Sequence, residues 1–149
     1  MDRQEILKSL RRFPYDRRGY WVVTGAAMVL YGIREQTADI DLGCTGETAD
    51  RLEADGFLYR RTDGGRRWFR YGESIEVFEG WLRGTVETVE GFSVISLDGL
   101  VEMKKELGRE KDIRDIERIK AFAERSGSRL QGDRGAEFRG DDVPESKDR

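Results

Sequence analysis

The sequence predicts a domain of the α/β class. Short β-branched and aromatic runs bounded by glycine predict strands, and segments with apolar residues at helical spacing predict helices. The two kinds of segment follow one another along most of the chain. Its 149 residues fit one domain, and a chain of this length typically buries about 68–70% of its unfolded surface. We therefore expect one domain over residues 1–126.

The first elements are a surface helix and a buried strand. Asp2 and Glu5 form a capping-box pattern, so a helix is expected to begin there and to end near Arg12, before Pro14. Its apolar face would be formed by Ile6, Leu7, Leu10 and Phe13. The run Tyr20–Val23 is β-branched and aromatic, which predicts a buried strand.

A short buried helix and a second strand are expected next. Residues Ala26–Tyr31 are apolar on nearly every face, and Gly32 follows them as a C′ residue would. Gly25 is expected to form a turn before this helix. The run Ala38–Leu42 then predicts a strand that contains an Asp-x-Asp pair.

The middle of the chain predicts a helix, a hairpin and a strand. Thr45 can cap a helix through about Ala54. Residues 57–62 and 66–71 are expected to pair as a hairpin across Asp63-Gly64-Gly65. The alternation in Ser74–Phe78 is typical of a half-buried strand.

Two helices and a tail complete the prediction. A strand over Phe92–Ile95 is followed by a helix capped by Ser96 and ended by Gly108. A last helix runs from about Asp112 to Glu124, with a core stripe of Ile113, Ile116, Ile119 and Phe122. Residues 127–149 are rich in glycine and charge, so we expect a flexible charged tail.

Composition limits the chemistry. The net charge of −3 gives no overall attraction to nucleic acid, and no apolar run approaches the roughly 18 residues of a membrane span. With no signal-peptide pattern at its start, the protein is expected to be cytoplasmic. One cysteine and no histidine exclude an internal disulfide and imidazole ligands. Cys44 is therefore expected to be a packing residue, since no histidine can activate it.

The Asp-x-Asp pair is the strongest candidate for chemistry. Residues two apart on a strand project from the same face, so Asp39 and Asp41 could hold a hard cation such as Mg²⁺ or Mn²⁺. Glu76 on a later strand could supply a third carboxylate for a two-metal site. The alternatives are a solvated strand end for the aspartates and an ordinary exposed side chain for Glu76. Acidic pairs at this spacing are common by chance in a chain with 30 acidic residues. The prediction of a metal site therefore depends largely on the glycine turn and short helix that precede the pair.

Several cations could serve a phosphate ligand. Arg34 lies five residues before Asp39 and could reach the mouth of the site, or it could be a surface loop charge. Lys104 could touch a triphosphate from its helix, or its stem could serve packing alone. The following run of Arg109, Lys111, Asp112 and Asp115 favours ion pairs at helix ends and between helices.

The predicted hairpin mixes arginines with aromatic residues. Such a combination can bind RNA or a phosphorylated acceptor through charge and stacking. The alternative is an edge hairpin whose charges prevent aggregation through strand pairing. The residues concerned are Arg60, Arg61, Arg66, Arg67 and Arg70 with Tyr59, Trp68, Phe69 and Tyr71.

Three runs of the sequence together resemble a known family. They are Val22-Val23-Thr24-Gly25-Ala26-Ala27, then Gly32-x-Arg34-x-x-Thr37-x-Asp39-Ile40-Asp41-Leu42, then Ile75-Glu76-Val77. This pattern resembles the minimal nucleotidyltransferases of the polymerase-β-like superfamily, in the branch that includes the AbiEii-type toxins. A later stretch, Ser96 to Asp115, is similar to the same branch in its Ser-Leu start, mid-helix lysine and Arg-x-Lys-Asp run.

The resemblance implies a nucleotidyltransferase fold with a small mixed sheet and C-terminal helices. Asp39 and Asp41 would hold Mg²⁺ and the triphosphate, and Glu76 would join the metals and help to deprotonate an acceptor hydroxyl. Gly25 and the N–H of Ala26 would cradle the phosphates. Many members have Ser or Gly where this chain has Ala26, so Thr24 would have to supply the hydroxyl. Thr37 belongs to the same nucleotide-binding motif.

The function expected from this is transfer of a nucleoside monophosphate from an NTP to a hydroxyl of a protein, an RNA such as tRNA, or a small molecule. Two other classes stay open. One is a non-catalytic nucleotide- or partner-binding module, such as one half of a toxin–antitoxin pair, which Ala26 and Glu76 allow. The other is glycosyl transfer from a nucleotide sugar, which normally needs a larger chain. A partner chain or a second copy could complete the cleft.

Overall fold

The protein is represented by a computed structural model that describes residues 1–127. The helices are α1 (Arg3–Arg12), α2 (Thr24–Tyr31), α3 (Gly46–Ala54), α4 (Leu97–Leu107) and α5 (Glu110–Ser126). The strands are β1 (Tyr20–Val23), β2 (Ile40–Cys44), β3 (Tyr59–Arg61), β4 (Arg67–Tyr71), β5 (Ile75–Glu79), β6 (Val86–Val89) and β7 (Phe92–Ile95).

The seven strands form one mixed sheet in the order β3-β4-β5-β2-β1-β7-β6. The pairs β2/β5 and β1/β7 are parallel, and the other four pairs are antiparallel. The predicted α/β class with a mixed sheet is therefore confirmed. Strands β1, β2 and β5 lie in the middle of the sheet, so the predicted acidic motifs fall on neighbouring central strands.

The core lies between this sheet and the helices. Helix α2 is apolar on nearly every face because it contacts β1, β2, α1 and α4 at once. The Phe13 ring packs against those of Tyr20 and Tyr71 in T-shaped, edge-to-face contacts, with ring centres 5.0 and 4.9 Å apart. These contacts bury the inner face of the sheet.

Helix ends follow the expected chemistry. At α1, Asp2 accepts from the backbone N–H of Glu5 at 2.9 Å and Glu5 accepts from that of Asp2 at 3.1 Å, so the predicted capping box is confirmed. Helices α2 and α4 end at Gly32 and Gly108, whose φ angles of 86° and 63° lie in the left-handed region. A side chain would be strained at either position.

Two element boundaries differ from the prediction at the acidic motif. Helix α2 begins at Thr24, so Gly25 lies inside its first turn and not in a turn before it. Strand β2 spans Ile40–Cys44, which leaves Asp39 ahead of the strand. Asp39 and Asp41 still line one cavity, as expected, although Asp39 precedes the strand.

Two burial expectations were also wrong. Strand β5, which lies between β2 and β4, is buried along nearly its whole length and not half-buried. Ile113 is 58% exposed, so it does not belong to the core stripe of α5. The inner positions of that helix are Asp112, Asp115, Ile116, Ile119 and Ala123, and Phe122 packs against the core while partly buried.

Strand β6 was not anticipated from the sequence. It is an edge strand, its first three residues are exposed, and it therefore shows no apolar alternation. Its pairing with β7 is set by the turn at Glu90 and Gly91, which both have positive φ, 53° and 81°. A two-residue turn ending in glycine between apolar residues is a hairpin signal that could have revealed it.

Cys44 is buried at the end of β2, as expected for a packing residue. Burial, reinforced by the nearby Glu79 carboxylate, raises the pKa of its thiol to about 12. We expect iodoacetamide to leave the folded protein unlabelled at pH 8, where an ordinary thiol with a pKa of about 8.5 reacts. Mass spectrometry should show labelling only in denaturant. Rapid labelling of folded protein would contradict the buried position.

Within residues 1–127, no helix has the length and apolar character needed to cross a bilayer. The predicted flexible tail, residues 127–149, lies outside the described part except for Gly127, which follows the end of α5.

Candidate functional site

A cavity of about 110 Å³ opens where β1 ends and α2 begins. It combines two carboxylates, two cations, two hydroxyls and a glycine. The residues that line it are Thr24, Gly25, Arg34, Thr37, Ala38, Asp39, Asp41 and Lys111. Six of these were predicted as site residues from the sequence, and Ala38 and Lys111 were not.

Strand register places Asp41 at the centre of the sheet. It lies opposite Val23 of β1 on one side and opposite Glu76 of β5 on the other. The two acidic residues are only 3% and 6% exposed. Because β2 and β5 are parallel and in register here, both carboxylates project from the same face of the sheet. The predicted neighbourhood of Asp41 and Glu76 is therefore present.

Thr24 holds the Asp41 carboxylate from the first turn of α2. Its Oγ1 donates a hydrogen bond to Asp41 Oδ2 at 2.8 Å, and the residue is 2% exposed. Its φ angle of 52° is left-handed, which is uncommon for a β-branched residue. Such backbone strain persists where the surroundings enforce it and is typical of functional sites. Since the hydroxyl hydrogen is directed at Asp41, Thr24 positions the carboxylate in this structure and does not offer that hydrogen to a phosphate.

We expect Thr24→Val to lower the free energy of unfolding by about 1.5–3 kcal/mol, because it keeps the branched shape but removes a hydrogen bond to a buried carboxylate. Chemical denaturation measures the change. Thr88→Val, on the exposed edge strand β6, is the matched control and should change stability by less than about 0.5 kcal/mol. Equal stability of Thr24→Val and wild type would show that the bond contributes nothing.

Gly25 is required by a close approach. A Cβ at this position would lie 2.5 Å from Thr37 Oγ1 and 3.0 Å from an Arg34 guanidinium nitrogen. The glycine thus lets both side chains lie against the first turn of α2. N–H groups in the first turn of a helix have no partner within the helix, and they favour anions.

Arg34 is tied to the last helix. Its guanidinium donates to Asp115 of α5 at 2.6 Å. Asp115 also pairs with Lys104 at 3.0 Å, and Lys104 reaches Asp112 at 3.3 Å. Lys104 is 0% exposed. Arg109 is the last member of this network and donates a hydrogen bond to Asp112 at 2.6 Å.

The buried aspartates keep their charge through these partners. Burial by itself raises the pKa of Asp115, but the hydrogen bond from Arg34 and the charge of Lys104 outweigh it and lower that pKa below the ordinary 3.8. Burial likewise opposes ionisation of Asp112, whose pKa is lowered overall by the Arg109 hydrogen bond and the Lys104 charge. The network therefore docks α5 on α4 and fixes Arg34 at the cavity wall.

The remaining predicted residues do not line the cavity. Ala26 is completely buried in the first turn of α2, and Glu76 lies beside Asp41 without forming part of the cavity wall. Lys104 is enclosed by Asp112 and Asp115, which assigns it to helix docking in this structure. A contact from Ala26 or Lys104 to a nucleotide stays a prediction without support from this geometry.

Lys111 was expected to serve an ion pair, and in addition it lies on the cavity wall. Lys111 lies in the first turn of α5, far along the chain from the acidic strand. The docking of α5 therefore brings its side chain to the cavity. Its place in the Arg-x-Lys-Asp run was the one available signal.

The residues suit a hard cation in their chemistry. Carboxylate oxygens of Asp39 and Asp41 line one cavity, and Mg²⁺ in nucleotide sites typically takes one or two protein carboxylates while phosphates and waters fill its other positions. In residues 1–127, however, no three Asp, Glu or Cys side chains lie together in an arrangement that could hold a metal. Glu76 as a third metal ligand stays a prediction.

Comparison of the sequence with protein-family models and with curated proteins gave no match, and comparison of the fold with solved structures gave none either.

Proposed function

We propose that the protein is a metal-dependent nucleotidyltransferase that moves a nucleoside monophosphate from an NTP to an acceptor hydroxyl and releases pyrophosphate. One observation carries the proposal. A single cavity holds two carboxylates, Asp39 and Asp41, together with two cations, Arg34 and Lys111, at the first turn of a helix. A polyphosphate with its bound cation needs this combination of charges.

The cationic side of the cavity would bind the phosphates. Arg34 offers a planar guanidinium already held by Asp115, and Lys111 adds a second positive charge. The first turn of α2 adds its N–H groups at Gly25. Binding by such fixed groups costs little reorganisation, which is how phosphoryl-transfer enzymes stabilise developing charge.

The acidic side would hold the cation and orient the acceptor. Asp39 and Asp41 would ligate Mg²⁺ or Mn²⁺, with Thr24 fixing one oxygen of Asp41. When bound, the metal neutralises phosphate charge and aligns the reacting groups. Glu76, next to Asp41 in the sheet, is the candidate to accept the proton of the acceptor hydroxyl.

A defined assay tests the proposal. The protein is incubated with each α-labelled NTP, Mg²⁺ or Mn²⁺, and a mixture of tRNA and cell extract, and label transfer is measured. We expect metal-dependent transfer that is lost on chelation and in the double variant Asp39→Ala/Asp41→Ala.

Two outcomes contradict the proposal in different ways. NTP binding without transfer would favour the non-catalytic module, such as a toxin–antitoxin component. Transfer that survives in the double variant would place the reaction elsewhere in the chain.

A further inference from the structure

The β3–β4 hairpin carries a local positive charge on a chain that is negative overall. Residues 57–73 contain five arginines, no lysine and two acids, whereas the whole sequence has a net charge of −3. The cavity described above uses none of these arginines. The positive charge of the hairpin therefore lies outside that cavity.

One of the five arginines is structural. Arg67 lies at 2.7 Å from Glu79 and 2.8 Å from Asp50, and its side chain is only 12% exposed. With Glu53 at 3.1 Å as well, three carboxylates neutralise it, and those of Asp50 and Glu53 join the hairpin to α3. It is excluded from any surface that binds an external ligand.

Three other arginines keep their charge available. Arg61 donates to the carbonyl of Gly65 at 2.7 Å, and Arg70 to the carbonyl of Glu73 at 2.9 Å. Those bonds orient the guanidinium groups without neutralising them. Within residues 1–127, neither of them nor Arg60 pairs with a carboxylate, and all three are exposed.

Strand register puts two of these arginines on the face of the sheet that carries Asp41 and Glu76. Arg70 lies opposite Glu76, which lies opposite Asp41, so the three residues form one row across β4, β5 and β2. Arg60 lies opposite Trp68 in the next row of the same face. With neighbouring strands about 4.8 Å apart, the Arg70 backbone is about 10 Å from that of Asp41.

The hairpin is also open at its outer side. Strand β3 is the edge of the sheet, and all three of its residues are exposed. Tyr59 is 36% exposed and has the Arg61 guanidinium at 5.4 Å from its ring centre. A ligand crossing this edge can contact Arg60 on one face of the strand, and Arg61 and the Tyr59 ring on the other.

We propose that this edge, formed by Tyr59, Arg60, Arg61 and Arg70, binds single-stranded nucleic acid. Guanidinium groups match phosphate oxygens in a bidentate geometry, and an exposed aromatic ring can stack on a base of any sequence. A strand bound at Arg60 and Arg70 lies on the same face as Asp41 and Glu76. The binding step does not depend on the proposed nucleotidyl transfer.

The test is fluorescence anisotropy of a labelled oligouridylate of about 12 nucleotides, titrated with the full chain over a range of salt concentrations. Single-stranded nucleic acid gives a slope of log K against log salt of about −0.7 for each phosphate neutralised. We expect Arg60→Gln/Arg70→Gln to reduce that slope by about 1.4 and to weaken binding on the order of tenfold near 0.15 M salt.

Lys120→Gln/Arg125→Gln, which removes two exposed cations of α5, is the matched control and should bind like wild type. Arg60→Gln alone should reduce the slope by about 0.7, and it removes no hydrogen bond made within the described residues. A hairpin double variant that binds like wild type would overturn the proposal. So would displacement of the oligonucleotide by poly-glutamate at equal charge concentration, which would indicate an acidic protein segment as the occupant. Absence of nucleotidyl transfer in wild type leaves this binding result unaffected.

Discussion

Asp41→Asn should abolish nucleotidyl transfer, with a fall in rate of about 10³-fold or more, while the folded structure survives. The loss follows because a neutral amide lacks the negative charge with which the Asp41 carboxylate would hold the metal ion that neutralises the triphosphate. The measurement is label transfer from α-labelled NTP, together with NTP affinity in the presence of Mg²⁺.

The same substitution should leave stability unchanged or raise it. Asn has the shape of Asp, and its carbonyl oxygen can still accept the hydrogen bond that Thr24 donates at 2.8 Å. It also removes a charge from a side chain that is 3% exposed and has Glu76 as its neighbour on the next strand. Buried like charges are costly, so their removal favours the folded state. Retained stability with lost activity would mark Asp41 as a functional residue.

Asp63→Asn, on the exposed turn of the hairpin, is the matched control for Asp41→Asn and should transfer label like wild type. The assignment fails if Asp41→Asn retains most of the transfer activity. It also fails if both variants lose activity equally, because the cause would then lie outside the cavity.

Lys104→Met should lower the free energy of unfolding by about 3–5 kcal/mol. Methionine fills similar space, but it leaves Asp112 and Asp115 without the ammonium that lies at 3.3 and 3.0 Å. Both carboxylates are almost completely buried. Arg109 remains beside Asp112 at 2.6 Å, and Arg34 and the more distant Arg118 remain beside Asp115 at 2.6 and 3.9 Å. Denaturant titration measures the loss.

Lys105→Met is the neighbouring control, since that side chain is 44% exposed and lies at 3.6 Å from Glu102, which is itself partly exposed. It should cost less than about 1 kcal/mol. A loss for Lys104→Met no larger than the control's would contradict a stabilising network.

Acid unfolding gives a second readout of Lys104→Met. Because the pKa values of Asp112 and Asp115 are lowered in the folded protein, their ionisation stabilises the fold above the ordinary pKa of 3.8, and this contribution is lost as pH falls through the folded pKa. Removing Lys104 raises both pKa values, so the variant should begin to unfold at a higher pH than wild type. An unchanged acid midpoint would count against the network.

Elements governed by local patterns were predictable from the sequence. The capping box at Asp2, the strand Tyr20–Val23 and the helix stops at Gly32 and Gly108 depend on neighbouring residues, and the structure confirms them. The missed strand Val86–Val89 shows the limit of such patterns. An exposed edge strand is defined by its partner and not by its own apolar alternation.

Most of the residues that line the cavity were predicted from the sequence, but the contacts among them were not. Thr24, Gly25 and Asp41 do meet at one cavity, yet the left-handed φ of Thr24 and its bond to Asp41 have no sequence signal. For Lys104 the sequence left a triphosphate contact and packing both open, and the buried carboxylates that enclose it come from α5. Tertiary contacts of this kind cannot be read from spacing along one helix.

The ion pair between Arg34 and Asp115 joins positions 81 residues apart. Long-range contacts form late in folding, because the chain must first close the intervening loop. A chain emerging from the ribosome therefore exposes the acidic strand before α5 can supply Lys111 and anchor Arg34. The cavity gains both of its cations only when nearly all of the first 127 residues have been synthesised and the last helix has docked. A nucleotide that needs both cations would therefore bind only after the fold is complete.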